Sequence, residues 1–122
     1  MYLSRPLLFV LAAVSLLAPI SRADAQAAMP VTELGAGMYR IEAEVAATQE
    51  LRMVGLMQRR SMAPNHGMLF VFTEAQRHCM WMKNTLLPLS VAFMDAEGRI
   101  LNIEDMQPQT ENSHCADKDA RF

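Results

Sequence analysis

The residues best equipped for chemistry crowd into one stretch, RHCMWMKNTLLPL, from Arg77 to Leu89. It joins His78 to Cys79, sets Met80 and Met82 on either side of the chain's single tryptophan, Trp81, and continues with Lys83, Asn84 and Thr85. A second His-Cys dipeptide, His114-Cys115, repeats the first. Soft thiolate and thioether donors select Cu(I), and imidazole with thiolate suits zinc, so a periplasmic copper or zinc site is one candidate. The spacing opposes it. Zinc sites set their paired ligands about two to four residues apart, whereas adjacent side chains on a strand leave by opposite faces. The methionines are spread along the chain, as gap-filling core residues would be. A cysteine nucleophile with a histidine base is a second candidate, and it needs a free thiol of lowered pKa.

Trp81, Lys83, Asn84 and Thr85 make a different kind of candidate. An aromatic plate beside a cation and an amide suits a carbohydrate or an acidic ligand. Arg52 and Arg59 could add a guanidinium for a carboxylate or phosphate. The structural alternative is that Trp81 packs in the core, Lys83 reaches outward, and Asn84 and Thr85 bond the backbone of a turn. Glu104 with Asp105, or Asp95 with Glu97, could supply paired carboxylates for glycoside chemistry. Neighbours in sequence rarely face each other across a substrate, so these read as turn and strand-end charges. No nucleophile elbow, phosphate-cradling loop or His-Glu-x-x-His run is present.

Compartment decides between a bonded and a free cysteine pair. The chain opens with a short positive region at Arg5, an apolar run from Leu7 to Ile20, and the small-residue site Ala23-Asp24-Ala25. That order predicts a secretory signal peptide over residues 1–25, since the apolar run is short for a membrane span. An uncleaved anchor is the competing reading, opposed by Pro19 and by the small-residue site. No cysteine follows the run to carry a lipid, and nothing later is apolar for long enough to span. Loss of Arg5, Arg22 and Asp24 takes the formal charge from −2 to −3. A mildly acidic domain lacks the basic stripe that nucleic acid demands. The expected location is periplasmic or secreted. Two cysteines in a small exported domain favour a disulfide between Cys79 and Cys115, which would remove both the thiolate ligands and the nucleophile.

The elements that must position these residues are short. Residues 26–37 read as a linker of small and turn-forming residues, leading into a single domain over 38–122. MYRIEAEVA alternates Tyr39, Ile41, Ala43 and Val45 against Arg40, Glu42 and Glu44, the pattern of a half-buried strand. Thr48 can cap a short helix with Glu50 in its first turn and Leu51, Val54 and Met57 along one face, Gly55 lying inside it. Met68 to Phe72 is a continuous apolar run, read as a strand covered on both faces. Arg77 to Met82 and Leu89 to Asp95 are further strands. Asp95 to Gly98 is a turn, and Arg99 to Asp105 alternates with Leu101 and Ile103 inward, completing a hairpin. The stretch from there to Ala116 reads as a loop. Several short strands and one small helix predict a mostly β single domain, sandwich-like, jelly-roll-like or barrel-like.

Five ordered motifs, R-x-x-G-L-M-x-R from Arg52, G-M-L-F-x-F from Gly67, W-M-K-N-T-x-x-P-L from Trp81, D-x-x-G-x-I from Asp95 and M-x-P from Met106, resemble the bacterial family called domain of unknown function 192. The resemblance runs over about residues 38–122. It implies a compact, largely β fold of jelly-roll or sandwich type, commonly exported, and it implies no activity. The segments HCMWMKNT and SHC resemble a subgroup in which the two cysteines are bonded. The family pattern also implies an apolar strand and a glycine-containing turn beyond Phe122. The sequence stops at ADKDARF, either cut short there or lacking that strand, and in the second case a sheet edge lies open.

The sequence therefore predicts an exported β domain that binds a small ligand or a cell-envelope component through Arg52, Arg59, Trp81, Lys83, Asn84 and Thr85, without cofactor or metal. The competing functions are an enzyme acting on envelope carbohydrate or peptide and the copper- or zinc-binding protein.

Overall fold

The computed structural model describes residues 29–122; the expected leader and the first residues of the expected linker lie outside the described residues. The elements run β1 (Val31–Ala36), β2 (Tyr39–Ala46), α1 (Gln49–Val54), β3 (His66–Phe70), β4 (Cys79–Met80), β5 (Leu89–Met94), β6 (Ile100–Met106) and β7 (His114–Cys115). They form three small sheets, ordered β1-β2-β3, β4-β7 and β5-β6. The expected class holds: a mostly β single domain with one short helix. No sheet closes into a barrel among the described residues.

The first sheet begins earlier than the sequence suggests. Val31–Ala36, expected within a linker, pairs antiparallel with β2 from Val31↔Glu44 to Ala36↔Tyr39. The Gly37-Met38 connection has Gly37 at φ +60°, the backbone a two-residue hairpin turn requires. VTELGA escapes a strand reading because it is an outer-edge strand with little apolar alternation, its side chains mostly exposed. β2 shows the expected alternation in part. Ala43 and Ala46 are buried, but Tyr39 is 73% exposed, because the hairpin end projects beyond the core.

From β2 the chain crosses through α1 to β3, which lies parallel to β2. Thr48 caps the helix by accepting from the Leu51 N–H at 3.2 Å, as its sequence context predicts. Gly55 closes the helix rather than lying inside it, its N–H donating to the Leu51 carbonyl at 2.8 Å with φ +48°. β3 starts two residues before the apolar run, at His66, because the ladder to β2 engages His66 and Gly67 opposite Glu42 and Ala43. Its side chains are half-buried, not covered on both faces.

The β5–β6 hairpin is antiparallel, with a register shift at Phe93/Met94. Asp95 organises its turn, its Oδ1 accepting from the backbone N–H groups of Glu97 at 3.0 Å and Arg99 at 2.9 Å. Leu101 packs against the core as expected, but Ile103 is 60% exposed. Asn102 turns to β7, donating to the Cys115 carbonyl and accepting from the Asp117 N–H, while Met106 at the end of β6 is buried. The strand expected over Arg77 to Met82 contracts to β4, two residues, and the expected loop before Ala116 contains β7. These two pair antiparallel with Cys79 opposite Cys115. The sulfurs are bonded and no described cysteine is free.

The core is small. Phe93, Ala116 and Ala120 form its centre, with Met80, Val91 and Leu101 packed against them, and Met82 is fully buried nearby. Ala120 bridges Gln76, and Phe122 pairs with Met94 through Met94 N–H to Phe122 C=O at 2.9 Å and the reverse at 3.2 Å.

Candidate functional site

Between β2–β3, α1 and the β5–β6 hairpin opens one large cleft of about 1600 Å³, lined chiefly by apolar side chains. Its floor carries the methionines. Of the ten in residues 29–122, eight line it, among them Met53, Met68 and Met80. The expectation that they fill gaps in a core holds for the buried Met82 and Met106 and for Met80, packed against the core, but not for Met53, which is 67% exposed. They are scattered in sequence but gathered in space, and only Met82 is fully buried among the large side chains alongside Phe93. Methionine is flexible and polarisable, which suits a surface that adapts to an occupant. The sequence shows eleven methionines but not their convergence.

Five of the six residues singled out from the sequence border this cleft: Arg52, Trp81, Lys83, Asn84 and Thr85. Their roles differ. Trp81 is 48% exposed, which overturns the core placement. The Lys83 ammonium lies 5.2 Å from the Trp81 ring centroid and 3.8 Å from a Glu111 carboxylate oxygen. Trp81 and Lys83 thus present a wet aromatic face with a cation over it. Arg52 is committed to the scaffold. Its Nη1 donates to the carbonyls of Ala47 at 2.9 Å and Val71 at 2.8 Å, and the guanidinium stands 5.7 Å over the Phe72 ring. Thr85 is 5% exposed, and its hydroxyl donates to the Lys83 carbonyl at 3.1 Å. Asn84 sits at φ +53°, its carbonyl accepting from the Gln58 N–H at 2.9 Å and tying the loop to the segment after α1.

Arg59 goes elsewhere. It lines a separate hollow of about 300 Å³ with Glu42, Glu44 and His66, where it pairs with Glu44 while His66 Nε2 lies 3.2 Å from Glu42. The sequence gives Arg52 and Arg59 equal standing; the structure separates them.

The chemical candidates fare differently. With Cys79 bonded to Cys115, neither sulfur can serve as a thiolate ligand or nucleophile. The two histidines of the His-Cys dipeptides lie in separate settings. His78 stacks on Phe72 with ring centroids 3.6 Å apart, and His114 lies 3.3 Å from Glu104. The candidate carboxylates are occupied as turn and strand-end groups. The Arg99 backbone N–H, with the Arg99 side chain adding to it, holds the Asp95 carboxyl below its ordinary value, so it is poorly suited to act as an acid. Asp105 accepts from the Ser90 hydroxyl at 2.5 Å. No helix among the described residues is long and apolar enough to cross a membrane.

Two solved structures share the fold. A Sinorhizobium meliloti protein provisionally titled a transcription regulator is 40% identical, matching 68% of this chain and 65% of its own with a TM-score of 0.66. A Novosphingobium aromaticivorans protein of unknown function is 30% identical, matching 75% of this chain and 67% of its own with a TM-score of 0.68. The chain thus spans about two thirds of the length of each. No curated protein matches it. The sequence model of the family described as "Uncharacterized ACR", domain of unknown function 192, matches residues 30–122, and the chain belongs to that family.

Proposed function

We propose that this domain is an exported binding module whose methionine-lined cleft takes an elongated apolar ligand, with Trp81 and Lys83 at the rim engaging an anionic or sugar-like group. The cleft carries the reading. Pockets for drug-sized molecules run to roughly 1000 Å³ at most, and this one is larger and mostly apolar. Binding is preferred to turnover because the sulfurs are bonded and the carboxylates already hold turns and strand ends. The regulator title of the Sinorhizobium protein does not bring DNA with it, since the formal charge here is −2 and DNA binding needs a basic face.

Titration with dodecanoate, below its micellar range, tests the reading through Trp81, the only tryptophan. Saturable binding with a blue shift of Trp81 emission is expected, because the ring moves from half-exposed to covered. Lys83→Met should weaken dodecanoate by about threefold to tenfold, the worth of a partly exposed ion pair. An unmoved spectrum across the titration would rule the proposal out. Release of products from muropeptides or envelope glycans would transfer the cleft to the competing enzyme class.

A further inference from the structure

A bonded cysteine pair cannot be a nucleophile, but its sulfurs are electrophiles that a thiolate can attack. That chemistry needs access to one sulfur and a frame that keeps the pair together once the bond opens. Access differs between the two ends. Cys79 is exposed and Cys115 is half-buried. Alternation along β4 sends Met80 against the core and leaves Cys79 on the outer side.

The frame does not depend on the sulfur bond. On one flank of the pair the Ala116 N–H donates to the His78 carbonyl at 2.9 Å, and Arg77 Nε donates to the Ala116 carbonyl at 3.0 Å. Further along, the Ala120 N–H donates to the Gln76 carbonyl at 2.9 Å, and Ala116 and Ala120 are both fully buried. On the other flank Met80 pairs with His114. Asn102 grips the same segment from β6, donating to the Cys115 carbonyl at 3.1 Å and accepting from the Asp117 N–H at 2.9 Å. Opening the bond therefore removes one covalent link from a ladder with non-covalent rungs on both sides. The two thiols stay opposite each other.

One exposed sulfur, a second kept behind it and a frame that outlasts the bond are what reversible exchange requires. Exposed disulfides are also the labile ones, since rate follows access to the attacked sulfur. We infer that Cys79–Cys115 is a redox couple that exchanges with a dithiol protein of its own compartment, Cys79 being the attacked residue and Cys115 the resolving one. A partner thiolate attacks Cys79 Sγ, the Cys79–Cys115 bond breaks, and Cys115 leaves as a thiolate that takes a proton. The partner's second thiolate then attacks its own sulfur in the mixed disulfide. Cys79 leaves, takes the second proton, and the partner ends as a disulfide. Two electrons and two protons have passed from the dithiol to the cysteine pair. In the reverse direction Cys115, still held in place, attacks the mixed disulfide at Cys79 and restores the bond. Neither role needs the cleft to be filled or empty.

The unaltered protein decides the matter first. Folded protein is incubated with excess dithiothreitol, a soluble dithiol, without denaturant, and thiols are alkylated and counted by mass. Two alkylated thiols within minutes are expected, with a cooperative urea transition retained at a lowered midpoint. Removing the dithiol and adding oxidised glutathione should restore the bond within the monomer. A bond that resists until urea unfolds the domain would overturn the inference, because the sulfurs would then be closed to attack. Loss of the cooperative transition on reduction would overturn it too, since the bond would then be a staple and nothing more. The variants Cys115→Ser and Cys79→Ser next identify the point of entry through their rates with an aromatic disulfide that releases a coloured thiolate. The thiol of Cys79 should react about tenfold faster than that of Cys115. Equal rates, or a faster Cys115, would overturn the assignment of roles.

Discussion

Gly55 is the residue whose identity the backbone dictates most strictly. It stands at φ +48°, and a Cβ built there would approach Phe70 Cζ to 3.2 Å and Cε1 to 3.5 Å. Gly55→Ala therefore meets two penalties, a left-handed backbone and a crowded ring on the strand bordering the cleft. A loss of about 1–3 kcal/mol is expected, read as a lower urea midpoint at unchanged slope. A midpoint equal to that of the unaltered protein would show that the ring swings clear at no cost. The sequence reading placed this glycine within the helix. The distinction between a helical interior and a closing residue lies in φ, which periodicity does not report. Asn84 shows the same limit. Its residue type suits both a turn and a ligand contact, and its φ of +53° with the bond to Gln58 establishes the turn role first.

At the scale of elements, legibility followed the local pattern, which the six-residue β1 lacks and the six-residue α1 has. The alternating β2 and the capped α1 were visible because several residues agree on one period or one cap. β4 and β7, two residues each, give no period at all, and nothing in SHC by itself announces a strand. The covalent bond stands in for the missing ladder. Cys79 and Cys115 face each other with Cα atoms 4.0 Å apart, between the His78 carbonyl's bond to the Ala116 N–H and the Met80↔His114 pair. The bond closes a separation of 36 residues, worth on the order of 3–4 kcal/mol in the chain-entropy account. The double variant Cys79→Ser, Cys115→Ser should lose stability of that order in chemical denaturation, and the reduced parent protein should unfold at a similar midpoint. A midpoint unmoved by reduction would mean that the short β4–β7 pair holds without its clamp. Because β7 carries the Cys115 carbonyl to which Asn102 bonds, the loss should also loosen the β6 side of the hairpin.

For the whole molecule, the class of fold was open to reading but its central cavity was not. A cleft assembled from β2, β3, α1, the Trp81 loop and β5 depends on register and crossover, and no local pattern encodes which methionines will face one another. Arg52 and Arg59 diverge for the same reason: seven positions apart in sequence, they end on different surfaces because the chain turns after α1. The bonded cysteines and the small core both fit a domain matured in an oxidising space, and this leads to a prediction about the entire chain. Expressed with residues 1–25 in a bacterium with a periplasm, the protein should be recovered from the periplasmic fraction cleaved after Ala25. Its intact mass should be roughly 2 Da below that of the dithiol form, the two hydrogens lost in forming the bond. A protein that keeps its first 25 residues and two reactive thiols would remove the export proposal. It would also free the sulfurs beside His78 and His114, and the soft-metal chemistry set aside above would have to be tested by titration with Cu(I).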